Sequence, residues 1–326
     1  MEGIKDNFVF SSIDELLLTL FNEVDSKGKE YSRDKKDYKN KIKELTQVFY
    51  CLENGNNIFS FSKDINQTAF WSISEFISEI LAIDPPIMDR YSPEILEWSY
   101  SLRPNRKARY MYGNRWNEHD QLHNTFIKLR DNPTTKRAVI TIFEGYDTAP
   151  ELSDIPCTTQ YHFLLRDNKL DMTTFFRSHD LMSGLKYDIF LSGLVLNTLV
   201  CWLKMANDDM RVGKLLFYDN SLHIYPEKDA EKISKMRNTS NVITANADDI
   251  FRQQDIADFY KDLKRLKDVE EATYWQNFNV EDKISNIKQT FFRDCARYYY
   301  NRNSKFHSVK KSLEYEEGFF KKWLNK

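Results

Sequence analysis

The stretch IPCTTQYHFLLRDNKLDMTTFFRSHDLMSGLKYD (155–188) decides how this chain is read. It holds two runs of strand character, TQYHFLLR (159–166) and KLDMTTFFR (169–177). Aromatic and β-branched residues in short runs of this kind suit a pleated, half-buried surface. Cys157 directly follows Pro156 at a turn into the first run. Arg177 and Ser178 come twenty positions after the cysteine, then Asp180, with Asp188 eight beyond that. A thiol, a cation, a hydroxyl and two carboxylates so arranged are more than a core needs.

Outward from this segment the same alternation of strands continues. RAVITIF (137–143) lies upstream, after an Asn132-Pro133 turn that also presents Lys136 and Arg137. GKLLFYDNSLHIY (213–225) lies downstream, and its alternation puts His223 and Tyr225 on one strand face. Between them, residues 185–206 are apolar for too long to be one strand and predict a buried helix. Helical spacing also marks 12–24, behind a Ser12 cap with Glu15 three residues on, 70–82, ended by Pro85-Pro86, and 119–130. The Lys-rich stretch 26–44 reads as a loop running into a solvated helix or strand. These elements predict an α+β domain over 1–246, with a mostly antiparallel sheet packed against a long buried helix. Residues 247–326 are charged, aromatic and helical in pattern, and form a helical C-terminal extension.

Composition narrows the function. With 41% hydrophobic residues in 326, the chain can bury a substantial core. A formal net charge of −2 argues against nucleic acid as a partner, while leaving room for a local basic pocket. No apolar run approaches the roughly 18 residues that span a bilayer. The N-terminal MEGIKDNFVF lacks a cationic region followed by a hydrophobic stretch, so no membrane and a cytoplasmic location are expected. The four cysteines, Cys51, Cys157, Cys201 and Cys295, include no CxxC pair and are expected to be free thiols with no metal. Cys201, inside LSGLVLNTLVCWLKM, fits a core position, and the other cysteines can each be asked whether one is a nucleophile.

The order YGNRW (112–116), NPTTKRAVI (132–140), PC (156–157), RSHDLMSGLKYD (177–188) and LHIY (222–225) resembles thymidylate synthase and its relatives, the cytidylate and deoxycytidylate hydroxymethylases. SRDKKDYKNKIKELTQVFYCLENGNNI (32–58) is similar to the phosphate-loop region of the hydroxymethylase branch. The resemblance covers about 30–240 and implies the thymidylate synthase fold and a homodimer. It makes Cys157 the nucleophile that adds to C6 of a pyrimidine, turning C5 into a carbon nucleophile. Arg33, Arg177 and Ser178 would hold the phosphate of a nucleoside monophosphate from one subunit, and Lys136 and Arg137 from the other. Most of the family has two arginines in that last pair. His223 and Tyr225 would bond the sugar hydroxyl, and Tyr112 would lie near the reacting base. Glu75 would organise water and proton transfer, with Glu79 as the alternative in the same helix. Asp180 and Gly184 would contact the one-carbon donor, 5,10-methylenetetrahydrofolate. Thr158, Phe176 and Asn220-Ser221 depart from the synthase pattern, and no synthase-like tail is recognisable in FFKKWLNK.

Asp188 carries the choice of base. Synthases have asparagine here, and an amide can match the uracil edge. A carboxylate only accepts, which suits the exocyclic amino group of cytosine and repels a carbonyl. The resemblance therefore implies a folate-dependent (deoxy)cytidylate 5-hydroxymethyltransferase. Two alternatives stay open: a divergent thymidylate synthase making dTMP from dUMP, and a nucleotide-binding protein without turnover.

Overall fold

The computed structural model describes residues 8–32, 41–65, 67–83, 112–149, 155–239, 242, 249–306, 312–315 and 322–323. Helix α1 (Ile13–Lys27) begins as its sequence predicts, the Ser12 side chain accepting from the Glu15 backbone N–H at 3.3 Å. Its buried positions Ile13, Leu16, Leu17, Leu20, Phe21 and Val24 form one stripe against the sheet. Helix α2 (Ala69–Leu81) follows the 70–82 pattern, but it stops at Ala82, which takes left-handed backbone angles (φ 48°, ψ 45°). Pro85 and Pro86 lie outside the described residues. Helices α3 (Tyr112–Glu118) and α4 (Gln121–Asp131) lead to the sheet.

The sheet contains eight strands: β1 (Val9–Phe10), β2 (Lys29–Ser32), β3 (Lys41–Leu52), β4 (Ala138–Thr141), β5 (Thr158–Arg166), β6 (Lys169–Phe176), β7 (His179–Asp180) and β8 (Arg211–Ile224). Its main path runs β1-β3-β8-β6-β5-β4, with β2 beside β3 and β7 beside β8. The β2/β3, β3/β8, β4/β5 and β5/β6 pairs are antiparallel, as expected. The central β6/β8 pair is parallel, because helix α5 (Leu185–Leu203) carries the chain back across the sheet between them. The sheet is thus mixed at its centre. Strand β3 is a long inner strand where a polar loop, helix or strand is predicted only as far as residue 44. Its first half is Lys-rich because one side faces solvent, while Tyr50 and Leu52 enter the core.

Helix α5 is apolar on every side and almost wholly buried. By length and composition it could cross a membrane, contrary to the expectation that no run is long enough. Of that window 89% is buried inside the fold, which marks a core helix.

Helices α6 (Ala230–Asn238), α7 (Ile256–Tyr274), α8 (Glu281–Ser285) and α9 (Thr290–Phe306) complete the described chain. Helices α7 and α9 grip α2 from behind. The Ser74 hydroxyl donates to Glu270 Oε1 at 2.5 Å, and the Tyr299 hydroxyl lies 2.8 Å from it. Near the C-terminus Trp323 is fully buried, stacked on Phe190 at 5.2 Å, and its indole N–H donates to Gln67 at 3.3 Å. Gln67 in turn donates to the Lys186 carbonyl in the first turn of α5 at 2.9 Å. The far C-terminus is therefore wired to the helix start that carries Asp188.

Candidate functional site

Four elements converge at one end of the sheet: the turn into β5, the β6–β7 link, the first turn of α5 and the inner face of α2. Cys157 stands at the turn, half-buried and free of any disulfide. Arg177 clamps that turn. Its guanidinium donates to the carbonyls of Pro156 and Ile155, both at 2.8 Å, and Nη2 lies 3.9 Å from Cys157 Sγ. The Arg177 backbone N–H also donates to the Cys157 carbonyl at 2.9 Å.

Burial pushes the Cys157 thiol above its ordinary range, and Arg177 only partly offsets this; Asp188, Asp180 and Asp219 add to the rise. Arg177 is the nearest cation that could favour the thiolate, and in the free chain burial outweighs it. The Asp188 charge also raises Tyr112, Tyr161 and Glu75, so these groups stand close together around it. Tyr112 enters from the start of α3, its hydroxyl accepting from the Thr158 backbone N–H at 3.4 Å.

Geometry separates the two glutamates of α2. Glu79 is buried and accepts from the backbone N–H groups of Tyr112 and Gly113. A Cβ on Gly113 would sit 2.0 Å from the Glu79 carbonyl oxygen, so only glycine lets α3 approach this closely. Glu79 holds that junction, with its carboxyl pushed up to about 8 by burial. Glu75, one turn earlier, makes no hydrogen bond among the described residues. Burial pushes its carboxyl well above the ordinary range, and the charges of Asp188 and Glu79 add to the shift. Of the two, Glu75 is the carboxyl not engaged by backbone N–H groups among the described residues.

Strand β7 pairs Asp180 with His223 of β8, so the folate and sugar candidates stand side by side. Asp180 Oδ1 accepts from the Met182 and Ser183 backbone N–H groups at 2.9 and 3.1 Å, closing the turn into α5. Gly184 ends that turn, and a Cβ there would lie 3.2 Å from Asp188 Oδ2. His223 is 4% exposed, yet its Nδ1 has no hydrogen-bond partner among the described residues. A buried ring nitrogen without a partner is a costly arrangement that a ligand hydroxyl would relieve. Tyr225 packs edge-on to His223 at 5.1 Å, and Ser178 is half-buried in the β6–β7 link.

Lys136 and Arg137 do not join this group. Both are exposed just before β4, where Ala138 pairs with Phe163. Phe163 lies six positions along the chain from Cys157, about 20 Å at roughly 3.3 Å per residue. Arg33 lies outside the described residues.

Sequence reasoning missed a buried chain of polar groups behind Asp188. His179 Nε2 lies 3.1 Å from Asp188 Oδ2, and Nδ1 lies 3.2 Å from Asp219 Oδ1. The Tyr50 hydroxyl donates to Asp219 Oδ2 at 2.7 Å. The alternation of HD (179–180) with DNSLHIY (219–225) on paired strands was the available signal. It is weak without knowing that β7 and β8 run parallel.

The sequence matches the thymidylate synthase family over residues 34–310. It is similar to a Methanosarcina acetivorans protein named "Putative thymidylate synthase", 32% identical over 154 residues that cover 43% of this chain and 69% of that one. A deoxyuridylate hydroxymethyltransferase of Bacillus phage SP01 is 25% identical over 195 residues, 57% of this chain and 50% of the relative. A thymidylate synthase of Listeria monocytogenes is 22% identical over 199 residues, 55% and 62% of the two chains.

Proposed function

The chain belongs to the thymidylate synthase family of one-carbon transferases acting on pyrimidine nucleotides, and on that premise we propose that it hydroxymethylates C5 of a cytosine nucleotide, dCMP or CMP. The observation that carries the reading is Asp188, an acceptor-only side chain held beside Cys157, where it suits an exocyclic amino group.

The family uses 5,10-methylenetetrahydrofolate as donor, and it supplies the one-carbon unit at the oxidation level of formaldehyde. The residues present fit it. Asp180 has a second carboxylate oxygen left for the amino and ring N–H groups of a pterin, and Gly184 leaves space beside it. In the proposed reaction the Cys157 thiolate bonds to C6, and the displaced ring electrons make C5 nucleophilic. Asp188 accepts from the 4-amino group and steadies a proton on N3. Glu75, its carboxyl pushed well above the ordinary range by burial, passes a proton through ordered water. After C5 gains its carbon and loses its proton, water adds to the exocyclic carbon and Cys157 leaves C6. Arg33, Arg177 and Ser178 hold the phosphate, and the partnerless His223 Nδ1 with Tyr225 takes the sugar hydroxyl.

Lys136 and Arg137 complete the phosphate site from a second copy. The outer face of the sheet suits such a partner: Phe49, Tyr218 and Phe175 form a half-buried row across three adjacent strands. We take 1–246 as the catalytic portion and 247–326 as an extension whose helices α7 and α9 brace α2 and lie within the family match. The same reading places the protein in a reducing, cytoplasmic setting, in which its four cysteines stay thiols.

Uracil is the second reading, favoured by the phage relative named for deoxyuridylate. Tritium release from C5 of labelled dCMP, CMP and dUMP, with and without methylenetetrahydrofolate, decides between them. Folate-dependent release from a cytidylate with a hydroxymethyl product is expected, and Asp188→Asn should shift preference toward dUMP by about tenfold or more. Release from dUMP alone sinks the cytosine reading.

A further inference from the structure

His179 is 1% exposed and takes no part in the chemistry above, yet both its ring nitrogens meet carboxylates. Asp219, on the far side, is fully buried and held by Tyr50 across the β3/β8 ladder. The Phe176 ring stacks on the imidazole with centroids 3.9 Å apart and planes at 22°, which fixes its tilt. Tyr50, Asp219, His179 and Asp188 thus form one line from an inner strand to the first turn of α5.

We propose that His179 is a positioning residue for base selection: bridging Asp219 and Asp188, it occupies Asp188 Oδ2 and leaves Oδ1 to read the 4-amino group of a cytosine ring. The inference rests on the proposed function, in which Asp188 meets the base. An aspartate carboxyl otherwise turns over a broad torsional range. A charge-assisted hydrogen bond to one oxygen narrows that range and fixes the direction of the other. Only an imidazole donating at both nitrogens can satisfy two carboxylates at once. The two carboxylates raise His179 to about 10 against the opposing effect of burial, so the ring is doubly protonated at neutral pH. The other ionisable groups nearby are Asp180 and His223 on β7 and β8, Glu75 and Glu79 on α2, Tyr112 on α3, Tyr161 on β5, and Cys157. Gly184 completes the arrangement, since a side chain there would press on Asp188 Oδ2.

His179→Asn keeps a donor toward Asp219 and removes the one toward Asp188, while His179→Gln does the reverse. The readout is the ratio of kcat/KM for C5 tritium release from the cytidylate and from dUMP, alongside thermal unfolding. His179→Asn should lower that ratio by about tenfold or more, with His179→Gln restoring part of it. A folded His179→Asn protein with the wild-type ratio overturns the assignment of His179 alone. A wild-type ratio that favours dUMP overturns both this inference and the cytosine reading. If the variants do not fold, wild-type protein carrying 15N-labelled histidine decides, since the His179 ring should be an imidazolium at about pH 8. A neutral ring at that pH overturns the proposal.

Discussion

Cys157 shows how far a single residue can be read. Its place after Pro156 and before a strand marks it as the candidate nucleophile, but its acidity depends on neighbours far away in sequence. Burial raises the thiol, and Asp188, Asp180 and Asp219 raise it further, against the opposing charge of Arg177. A raised thiol has less thiolate at neutral pH, so iodoacetamide labelling of Cys157 should be slow at about pH 7 and still climbing past about pH 8.5. Arg177→Ala should move the curve to higher pH and slow labelling several-fold. Cys51 and Cys201, pushed up to about 11 and about 12, should label later still. Site-resolved mass spectrometry checks this, and a plateau for Cys157 below pH 7 would contradict it. At the same scale, the resemblance favours Glu75 over Glu79, and the structure adds what each carboxyl meets. Both lie on one helix with similar neighbours in sequence, and only the approach of Gly113 ties up Glu79.

Elements that announce themselves by periodicity were legible: α1 with its Ser12 cap, α2, α4, the long α5, and strands β4, β5, β6 and β8. Strand β3 was not, because a strand with one wet side and many lysines carries little hydrophobic signal. The short β7 was invisible for a different reason: two residues have no period, and pairing with β8 defines it. Yet β7 delivers His179, and α2 delivers Glu79, which together give the fold a distinctive pH response. His179 rises from 6.5 to about 10, so its stabilisation is fully present below 6.5 and lost as pH rises through about 10. Glu79 rises from 4.5 to about 8, so its contribution is present below 4.5 and lost through about 8. Both slopes have the same sign. The melting temperature should fall by several degrees between about pH 6 and about pH 9.5. Glu79→Gln should flatten the fall near pH 8 and His179→Asn the fall at higher pH. Thermal unfolding across that range is the measurement, and a rising melting temperature would refute the account.

For the whole molecule, the proposal of a homodimer has a sharp consequence. Lys136 and Arg137 stand about 20 Å along β5 from Cys157, too far for either side chain to serve its own site. A Cys157→Ala chain and an Arg137→Ala chain should each be nearly inactive alone. Mixed, unfolded and refolded together, they should form heterodimers with one intact site and recover about a quarter of wild-type activity, a statistical estimate for random pairing. No recovery, with heterodimers shown by mass, would place both groups in one chain's site. By itself the sequence determined the fold class and the family, and it named candidates for the nucleophile, the phosphate cations and the base-reading carboxylate, because each lies in a local motif of suitable residue types. Only the tertiary structure decided that Glu79 is taken up by the α3 backbone, that burial outweighs Arg177 at the thiol, and that His179 joins Asp188 to Asp219. Those outcomes depend on desolvation and on contacts between strands far apart in the chain, and neither is written in local order.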